Sequence, residues 1–174
     1  QGRVSYYDDV GALRDMVPNH MLQLLSLIAL DPSTRYDPTA VRDEKVKVLR
    51  SLRPMNADTV RSHSVRGQYA AGAVGGEIVR GYAEELGDTS DTETFVALKA
   101  FIDNWRWAGV PFYLRTGKRM PVRHSEILIR FKPVPHSIFG DGYGKGLEPN
   151  ALIIRLQPDE YIRLLVMAKE PGLG

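Results

Sequence analysis

The sequence predicts an α+β fold in which a mostly antiparallel sheet carries helices packed on one face. Up to about Leu52 the apolar residues recur at spacings of three and four, which is the period of amphipathic helices. From about Val65 onward the apolar period changes to two, which is the period of strands. Few helical stretches separate the predicted strands, and parallel strands need long crossover connections, so antiparallel pairing is expected.

Two helices account for the first part of the chain. Asp8 or Asp9 is expected to cap the start of the first helix. The second is predicted from about Pro38 to Leu52, with Asp37 as the N-cap and Pro38 in the first position, where no N–H is needed. The helical spacing is carried by Leu13, Met16, Val17, His20, Met21, Leu24, Leu25 and Ile28 in the first helix, and the buried side of the second by Val41, Val46, Val48 and Leu49.

Short strands account for the second part. Between Phe95 and Ile102 the even-numbered residues form a wholly apolar face and the odd-numbered residues a mixed one. Further strands rich in β-branched and aromatic residues are predicted at Pro111 to Leu114, Ile127 to Phe131, Leu152 to Leu156 and Tyr161 to Val166. The glycine-rich segment Gly140 to Gly146 is predicted to be a flexible surface loop rather than a phosphate cradle, because no helix start follows it.

The first helix contains an unexpected carboxylate and imidazole. Asp15 and His20 stand in an otherwise apolar run, where burying a charge without a partner costs several kcal/mol. His20 can take up and return a proton near neutral pH, and Asp15 can fix a hydroxyl group or orient an imidazole. The simpler alternative is that Asp15 is a solvated residue of the first turn and His20 a hydrogen-bonded core histidine.

Pro18 interrupts the same helix. Its ring removes the hydrogen bond to the Arg14 carbonyl and clashes with that turn, so a bend or local irregularity is predicted between Arg14 and Pro18. On an ideal α-helix Asp15 and His20 lie about 140° apart around the axis. The irregularity therefore matters for bringing the two side chains to one site.

A basic segment directly follows a predicted strand. It comprises residues 115–119, with the sequence Arg-Thr-Gly-Lys-Arg, and then Arg123 and His124. Cations at a strand end beside a glycine can approach a phosphate, although a solvated basic turn is the simpler interpretation. Arg155 and Gln157 form a third candidate, since a glutamine can hydrogen-bond sugar hydroxyls but is often structural at a strand end.

The composition of the chain excludes several classes of function. With 174 residues, 43% of them hydrophobic and 25% charged, one domain with a real core is the default. A net charge of +2 with dispersed basic residues gives no footprint for nucleic acid or an anionic membrane, and Trp105 and Trp107 are expected in core and loop packing. The absence of cysteine excludes disulfides and thiolate metal sites, the four histidines lack a zinc spacing, and no GxGxxG nucleotide motif occurs.

Five segments resemble the glucose-6-phosphate dehydrogenase family in order and spacing. They are residues 6–8 (Tyr-Tyr-Asp), 11–20 (Gly-Ala-Leu-Arg-Asp-Met-Val-Pro-Asn-His), 42–49 (Arg-Asp-Glu-Lys-Val-Lys-Val-Leu), 104–112 (Asn-Trp-Arg-Trp-Ala-Gly-Val-Pro-Phe) and 114–118 (Leu-Arg-Thr-Gly-Lys). The resemblance covers essentially the whole chain and is greater to the bacterial than to the animal enzymes. It implies oxidation of glucose 6-phosphate to the lactone with transfer of hydride to NADP, in a cytoplasmic enzyme.

The resemblance also implies roles for individual residues. His20 matches the general base that removes the proton of the C1 hydroxyl, and Asp15 matches a residue that binds the sugar hydroxyls. Lys118 and Arg123 match basic positions that contact the substrate, and Gln157 matches a further sugar contact. A base of near-neutral pKa and cations for a sugar phosphate are what this reaction needs.

Other family features are absent from this sequence. The resemblance implies that residues 1–174 are a single incomplete C-terminal domain, without the N-terminal Rossmann domain that binds NADP and without the last C-terminal elements. We therefore expect the chain alone to be inactive and the parent enzyme to be a homodimer or homotetramer associated through the sheet. The alternative is a non-catalytic module of the same fold that binds sugar phosphates or drives oligomerisation.

Three positions depart from the pattern of other family members. Pro18 stands where many members carry glutamine. His124 and Leu165 stand where the animal enzymes place lysines for a second, structural NADP, so that site is not expected here.

Overall fold

The computed structural model describes residues 4–133 and 148–168, which form helices and antiparallel strands. The predicted α+β class is confirmed. The chain divides into two compact units, residues 1–121 and 122–174, which are described separately below. The predicted loop Gly140 to Gly146 lies outside the described residues.

The first unit contains all the helices of the described residues and two small sheets. Strands β1, β4 and β5 pair in the order β1-β4-β5, and β2 pairs with β3 in a hairpin. The sheet prediction therefore holds for antiparallel pairing, but the strands divide into separate sheets rather than one. The elements in chain order are α1 (Val4–Met16), a π-helical turn (Val17–Met21), α2 (Leu22–Ala29), α3 (Pro38–Arg50), α4 (Ala57–His63), β1 (Ser64–Gly67), β2 (Gly72–Val74), β3 (Glu77–Val79), α5 (Tyr82–Leu86), β4 (Phe95–Phe101) and β5 (Pro111–Gly117).

Helix α1 is broken at Gly11. This glycine has a φ of 71° and a ψ of 170°, a conformation that is essentially restricted to glycine. After the break the exposed backbone donors are satisfied by Glu93, whose carbonyl accepts from Ala12 N (3.0 Å) and whose carboxylate accepts from Leu13 N (2.9 Å). Glu93 thus caps the second half of α1 from a distant part of the sequence.

The predicted capping role of Asp8 or Asp9 is wrong. The chain is already helical at Val4, so both residues lie inside α1. The Asp8 carboxylate instead accepts hydrogen bonds from Tyr82 Oη (3.1 Å) and from Ser90 Oγ. It therefore ties α1 to α5 and to the segment that precedes β4.

The irregularity predicted at Pro18 is confirmed, in the form of the π-helical turn. Pro18 lies in the first turn of this segment, and Leu22 N–H donates to the carbonyl of Val17, five residues earlier. Each residue of a π-helix turns through a smaller angle than in an α-helix, because more residues share one turn. Asp15 and His20 are consequently closer around the axis than on an uninterrupted α-helix.

Helix α3 begins as the sequence predicts. Asp37 is the N-cap, its carboxylate accepts from Thr39 N (3.0 Å) and Ala40 N (2.9 Å), and Pro38 occupies the first helical position. The helix ends at Arg50, close to the predicted end, and Val48 is its fully buried residue.

Residues of α1, the π-helical turn, α2 and α3 pack against Val96 of β4 and against Ile102, which follows β4. Val96 and Ile102, two of the residues predicted to face the core, are 1% and 0% exposed. Val96 packs in one buried cluster with Tyr7, Ala12, Val17 and Tyr82. Ile102 packs in a second, with Leu25, Ala29, Val48 and Leu114. Apolar burial thus fixes α1 near the start of β4 and α2 near its end.

The second unit is a three-stranded antiparallel sheet in the order β6-β7-β8. Its strands are β6 (Ser125–Arg130), β7 (Ala151–Gln157) and β8 (Tyr161–Leu165), each within a few residues of the predicted bounds. Glu126 and Arg155 lie opposite each other in the register and form a salt bridge of 2.6 Å.

Replacing Gly11 by alanine tests the break in α1. A Cβ at this position would lie 2.7 Å from Glu93 Oε1, and the positive φ adds backbone strain. We expect Gly11→Ala to lower the free energy of unfolding by about 1–3 kcal/mol, measured by urea denaturation followed by circular dichroism. Gly72→Ala is the control, because its Cβ would meet no atom within 4 Å. Equal effects of the two substitutions would contradict a special role for Gly11.

Candidate functional site

His20 lies in the π-helical turn and is exposed to solvent. The alternative that it is a hydrogen-bonded core histidine is therefore wrong. Val17 anchors this turn, because its side chain is buried in the apolar cluster that includes Val96. An imidazole that is accessible and yet mounted on a buried segment is suited to exchange a proton with a bound molecule.

Lys118 contacts Tyr7, and Asp15 acts on the same tyrosine through its charge. The Lys118 ammonium lies over the ring of Tyr7, with Nζ 3.2 Å from the ring centroid. The Asp15 carboxylate acts electrostatically on the hydroxyl of that ring. Burial, then the charges of Glu93 and Asp15, raise the pKa of Tyr7 to about 12. Two of the site residues predicted from the sequence, Asp15 and Lys118, therefore both influence Tyr7.

Lys118 is placed by the end of β5. The strand runs to Gly117, and Lys118 N–H donates to the carbonyl of Thr94 (2.8 Å), just before β4. Thr94 is fully buried, and its hydroxyl accepts from Tyr69 N (2.9 Å). The backbone that carries the Lys118 side chain is therefore fixed by the core of the first unit.

The neighbouring cation Arg119 is engaged differently. Its guanidinium forms an ion pair with the Glu85 carboxylate and lies 5.9 Å from the centroid of the Tyr69 ring. Tyr69 Oη also donates to Glu85, at 2.8 Å. Arg119 has a φ of 56°, which turns the chain so that consecutive cations reach different partners. Within the predicted basic segment, Arg119 therefore has a structural role as the ion-pair partner of Glu85.

Three tyrosines form an aromatic group beneath these cations. Tyr7 and Tyr69 each meet Tyr82 edge to face, with centroids 6.2 and 5.6 Å from that of Tyr82. Tyr82 is buried and donates its hydroxyl to Asp8. Burial and the hydrogen bond to Asp8 raise the pKa of Tyr82. Its neutral ring therefore persists throughout the physiological range.

Arg123 and Gln157 belong to the second unit. Arg123 is exposed in the short segment before β6, and Gln157 is exposed at the last position of β7. Their roles remain predictions from the resemblance. Arg155, the other candidate in this strand, bonds Glu126 through Nε (2.9 Å) and Nη2 (2.6 Å) and lies over the Tyr161 ring, so it is structural.

Sequence reasoning did not identify Tyr7 or Glu93. Tyr7 was noted only as part of a motif, and Glu93 carries no local signal, since its contacts reach residues some 80 positions away. The expectation that both tryptophans pack is half right. Trp107 packs on Phe112 and donates to the Ala29 carbonyl (2.8 Å), whereas Trp105 is fully exposed.

Neither a candidate metal site nor a membrane-spanning helix occurs among the described residues. Among residues 4–133 and 148–168, no group of three or more histidine or acidic side chains could hold a metal ion. In the same ranges, no helix is long and apolar enough to cross a membrane.

Comparison with known families gives a match over the full length. The family described as glucose-6-phosphate dehydrogenase, C-terminal domain, matches residues 1–174. Glucose-6-phosphate 1-dehydrogenase of Zymomonas mobilis is 61% identical over 99% of this chain, and that of Rhizobium meliloti is 59% identical over 100%. The chain covers 36% and 35% of these two relatives, so it spans about one third of their length.

Solved structures agree with the sequence relatives. A crystal structure of glucose-6-phosphate 1-dehydrogenase from Mycobacterium avium superposes with a TM-score of 0.82 at 39% identity, over 98% of this chain and 35% of that chain. A glucose-6-phosphate dehydrogenase in complex with its substrate glucose-6-phosphate gives a TM-score of 0.85 at 37% identity, over 99% of this chain and 34% of that chain.

Acid titration tests whether the Asp8 carboxylate stabilises the fold through its hydrogen bonds to Tyr82 and Ser90. Hydrogen bonds from Ser90 and Tyr82 lower the pKa of Asp8 below its ordinary value of 3.8. A carboxyl with a lowered folded-state pKa stabilises the fold above its ordinary pKa, and this contribution is lost as the pH falls from 3.8 through the lower value. We expect Asp8→Asn to reduce stability at pH 7 and to make the decline below pH 3.8 shallower, measured by thermal unfolding across pH.

The control for this titration is the neighbouring exposed residue, in the variant Asp9→Asn. It removes one carboxylate from the same helix without touching the bonds to Ser90 and Tyr82. An identical pH profile for the two variants would show that the bonds to Asp8 do not couple its ionisation to folding.

Proposed function

Because this chain belongs to the glucose-6-phosphate dehydrogenase C-terminal domain family, we propose that it is the substrate-binding and oligomerisation part of an NADP-dependent glucose-6-phosphate dehydrogenase. The observation that carries this proposal is the family match from the first residue to the last, at 61% identity to a named enzyme. The parent enzyme would oxidise glucose 6-phosphate to 6-phosphogluconolactone in the cytoplasm, at the start of the oxidative pentose phosphate pathway.

His20 is the general base of this proposal. Oxidation at C1 of the sugar requires that the proton of the C1 hydroxyl leave as the hydride departs from the carbon. The exposed imidazole of His20 on its anchored turn is suited to receive that proton.

The remaining residues bind the sugar phosphate. Asp15 is the hydrogen-bond acceptor for sugar hydroxyls, and Lys118 supplies positive charge for the phosphate group. Arg123 and Gln157 complete the set, as a second cation and as a ligand for a hydroxyl. This division matches the chemistry of the substrate, which carries several hydroxyl donors and one doubly charged group.

The hydride acceptor lies outside this chain. NADP supplies the nicotinamide that takes the hydride, but the sequence contains no GxGxxG turn to hold its pyrophosphate. We therefore assign NADP binding to a Rossmann domain elsewhere in the parent enzyme.

Oligomerisation through a sheet is the second part of the proposal. Strand β8 exposes Ile162 (74%) and Leu164 (60%), and among the described residues it is an edge of its sheet. Apolar side chains on a free edge strand favour a covering partner. We infer that the parent enzyme is a homodimer or homotetramer that uses this part of the chain.

Replacing the proposed base tests the assignment of His20. In the full-length enzyme, His20→Asn should lower kcat for glucose 6-phosphate oxidation by roughly 10²- to 10⁴-fold, with little change in KM. Steady-state formation of NADPH measures both constants. The control is Asn19→Ala, since Asn19 is the exposed preceding residue and bonds only the Asp15 carbonyl among the partners described (3.3 Å). Unchanged turnover in His20→Asn would remove His20 from the role of base.

Assaying the chain without the rest of the enzyme tests whether NADP is bound by another domain. The purified chain should not reduce NADP with glucose 6-phosphate, because it carries no nucleotide-binding motif. The full-length enzyme prepared in the same way is the positive control. Normal turnover by the chain alone would contradict the assignment of NADP to another domain. Failure of the full-length protein to turn over would favour a non-catalytic binding module.

A further inference from the structure

The helical segment that carries Asp15 begins at the break in α1. Gly11 is not helical, so Ala12 and Leu13 open the segment, and N–H groups in the first turn of a helix have no acceptor within that helix. Asp15 lies in this same first turn, and it is half-buried. The placement of the Asp15 carboxylate therefore depends on how the start of the segment is held.

Glu93 supplies acceptors for this turn from outside the helix. Its carbonyl accepts from Ala12 N (3.0 Å) and its Oε1 accepts from Leu13 N (2.9 Å). A carboxylate at the N-terminus of a helix also interacts favourably with the helix dipole. A capping side chain usually belongs to the residue just before the first turn, whereas this one comes from 80 positions away. The start of the segment is thus tied to the residue that shortly precedes β4.

Glu93 is held in turn by strand β1. Arg66 of β1 forms an ion pair through Nη2 with Glu93 Oε2 at 3.2 Å, and this is the oxygen that does not accept from Leu13. The Glu93 side chain is 11% exposed, so water has little access to the pair from its side. The next residue, Thr94, donates its N–H to the Gly67 carbonyl (2.9 Å). Both the side chain and the neighbouring backbone of Glu93 are therefore tied to β1.

His20 has an anchor of its own. It lies beyond Asp15 in the π-helical turn, whose Val17 is buried in the cluster with Val96. The apolar contacts of Val17 hold this turn whether or not the first turn of the segment is capped. Loosening of the cap should therefore displace Asp15 more than His20.

We propose that Glu93 is a positioning residue for Asp15, which it holds for the sugar hydroxyls by capping the helical segment that begins after Gly11. This inference rests on the proposed function, because it takes Asp15 as a ligand of glucose 6-phosphate. It assigns to Glu93 an effect on the affinity for substrate and little effect on the chemical step. Glu93 acts through the helix and has no contact with substrate in this account.

Two conservative substitutions in the full-length enzyme separate the cap from the charge. Glu93→Gln keeps the side-chain length and an acceptor for Leu13 N–H, so KM for glucose 6-phosphate should stay within about 2-fold. Glu93→Asp keeps the charge but is one methylene shorter, which draws the carboxylate away from Leu13. It should raise KM by about 2- to 30-fold with kcat nearly unchanged, the range that corresponds to the loss of one helix cap. Steady-state formation of NADPH measures both constants.

Asp8→Asn is the matched control, because it loosens α1 on the other side of the Gly11 break. It weakens the bonds to Tyr82 and Ser90 and leaves the cap on the second half of the helix untouched. This variant should leave KM unchanged even if its thermal unfolding midpoint falls as far as that of Glu93→Asp. A rise in KM that follows the loss of stability equally in both variants would show that Glu93 has only a structural role.

The comparison is repeated in the background of Asp15→Asn. There Glu93→Asp should have no further effect on KM, because the ligand that Glu93 positions is already lost. Equal effects of Glu93→Asp in the two backgrounds would overturn the positioning role, since Glu93 would then act on KM without Asp15. Equal rises in KM for Glu93→Gln and Glu93→Asp would also overturn it, since the charge and not the cap would then matter.

The outcomes also separate this inference from the proposed function. A KM raised by Asp15→Asn but unchanged by Glu93→Asp would overturn the positioning role and leave the proposed function standing. A KM unchanged in Asp15→Asn itself would overturn the substrate role of Asp15, and the role of Glu93 with it. Thermal unfolding of each variant confirms that the compared proteins are folded.

Discussion

The contact between Glu93 and the break in α1 organises the first unit. Glu93 accepts from Ala12 and Leu13 through its carbonyl and carboxylate, and its carboxylate also pairs with Arg66 at 3.2 Å. The next residue, Thr94, accepts from the backbone of Lys118. Two consecutive residues just before β4 therefore hold both the helix that carries Asp15 and the turn that carries Lys118.

This arrangement depends on the glycine at the break. At Gly11 the chain passes so close to Glu93 that a Cβ would overlap its carboxylate. The φ of 71° redirects the helix, whose first half places Tyr7 in the core and whose second half carries Asp15. A straight helix would have satisfied its own donors at Ala12 and Leu13 and would have left Glu93 without these partners.

The proline has a complementary effect about two turns later. Pro18 cannot donate to the helix, and the chain responds with a wider turn over Val17–Met21. Val17 stays buried while His20 is exposed. Two local departures from α-helical geometry thus separate residues that pack, such as Tyr7 and Val17, from those that face solvent.

The sequence by itself determined the elements whose signals are local. The α+β class, the Asp37–Pro38 start of α3, the irregularity at Pro18 and the alternating face of β4 all follow from capping chemistry, a missing N–H and side-chain periodicity. Helices α4 and α5 and the β2–β3 hairpin were missed because they are only three to seven residues long. The candidate residues were identified from motif order, without their geometry.

Only the tertiary structure decided how those residues are held. Asp8 looked like a helix cap but bonds Tyr82 and Ser90, and Tyr7 looked like part of a motif but lies beneath Lys118. Each of these contacts joins residues more than 70 positions apart, and such pairs leave no trace in local periodicity. Their partners are selected by burial and by the demand of buried polar groups for hydrogen bonds, which exist only once the chain is folded.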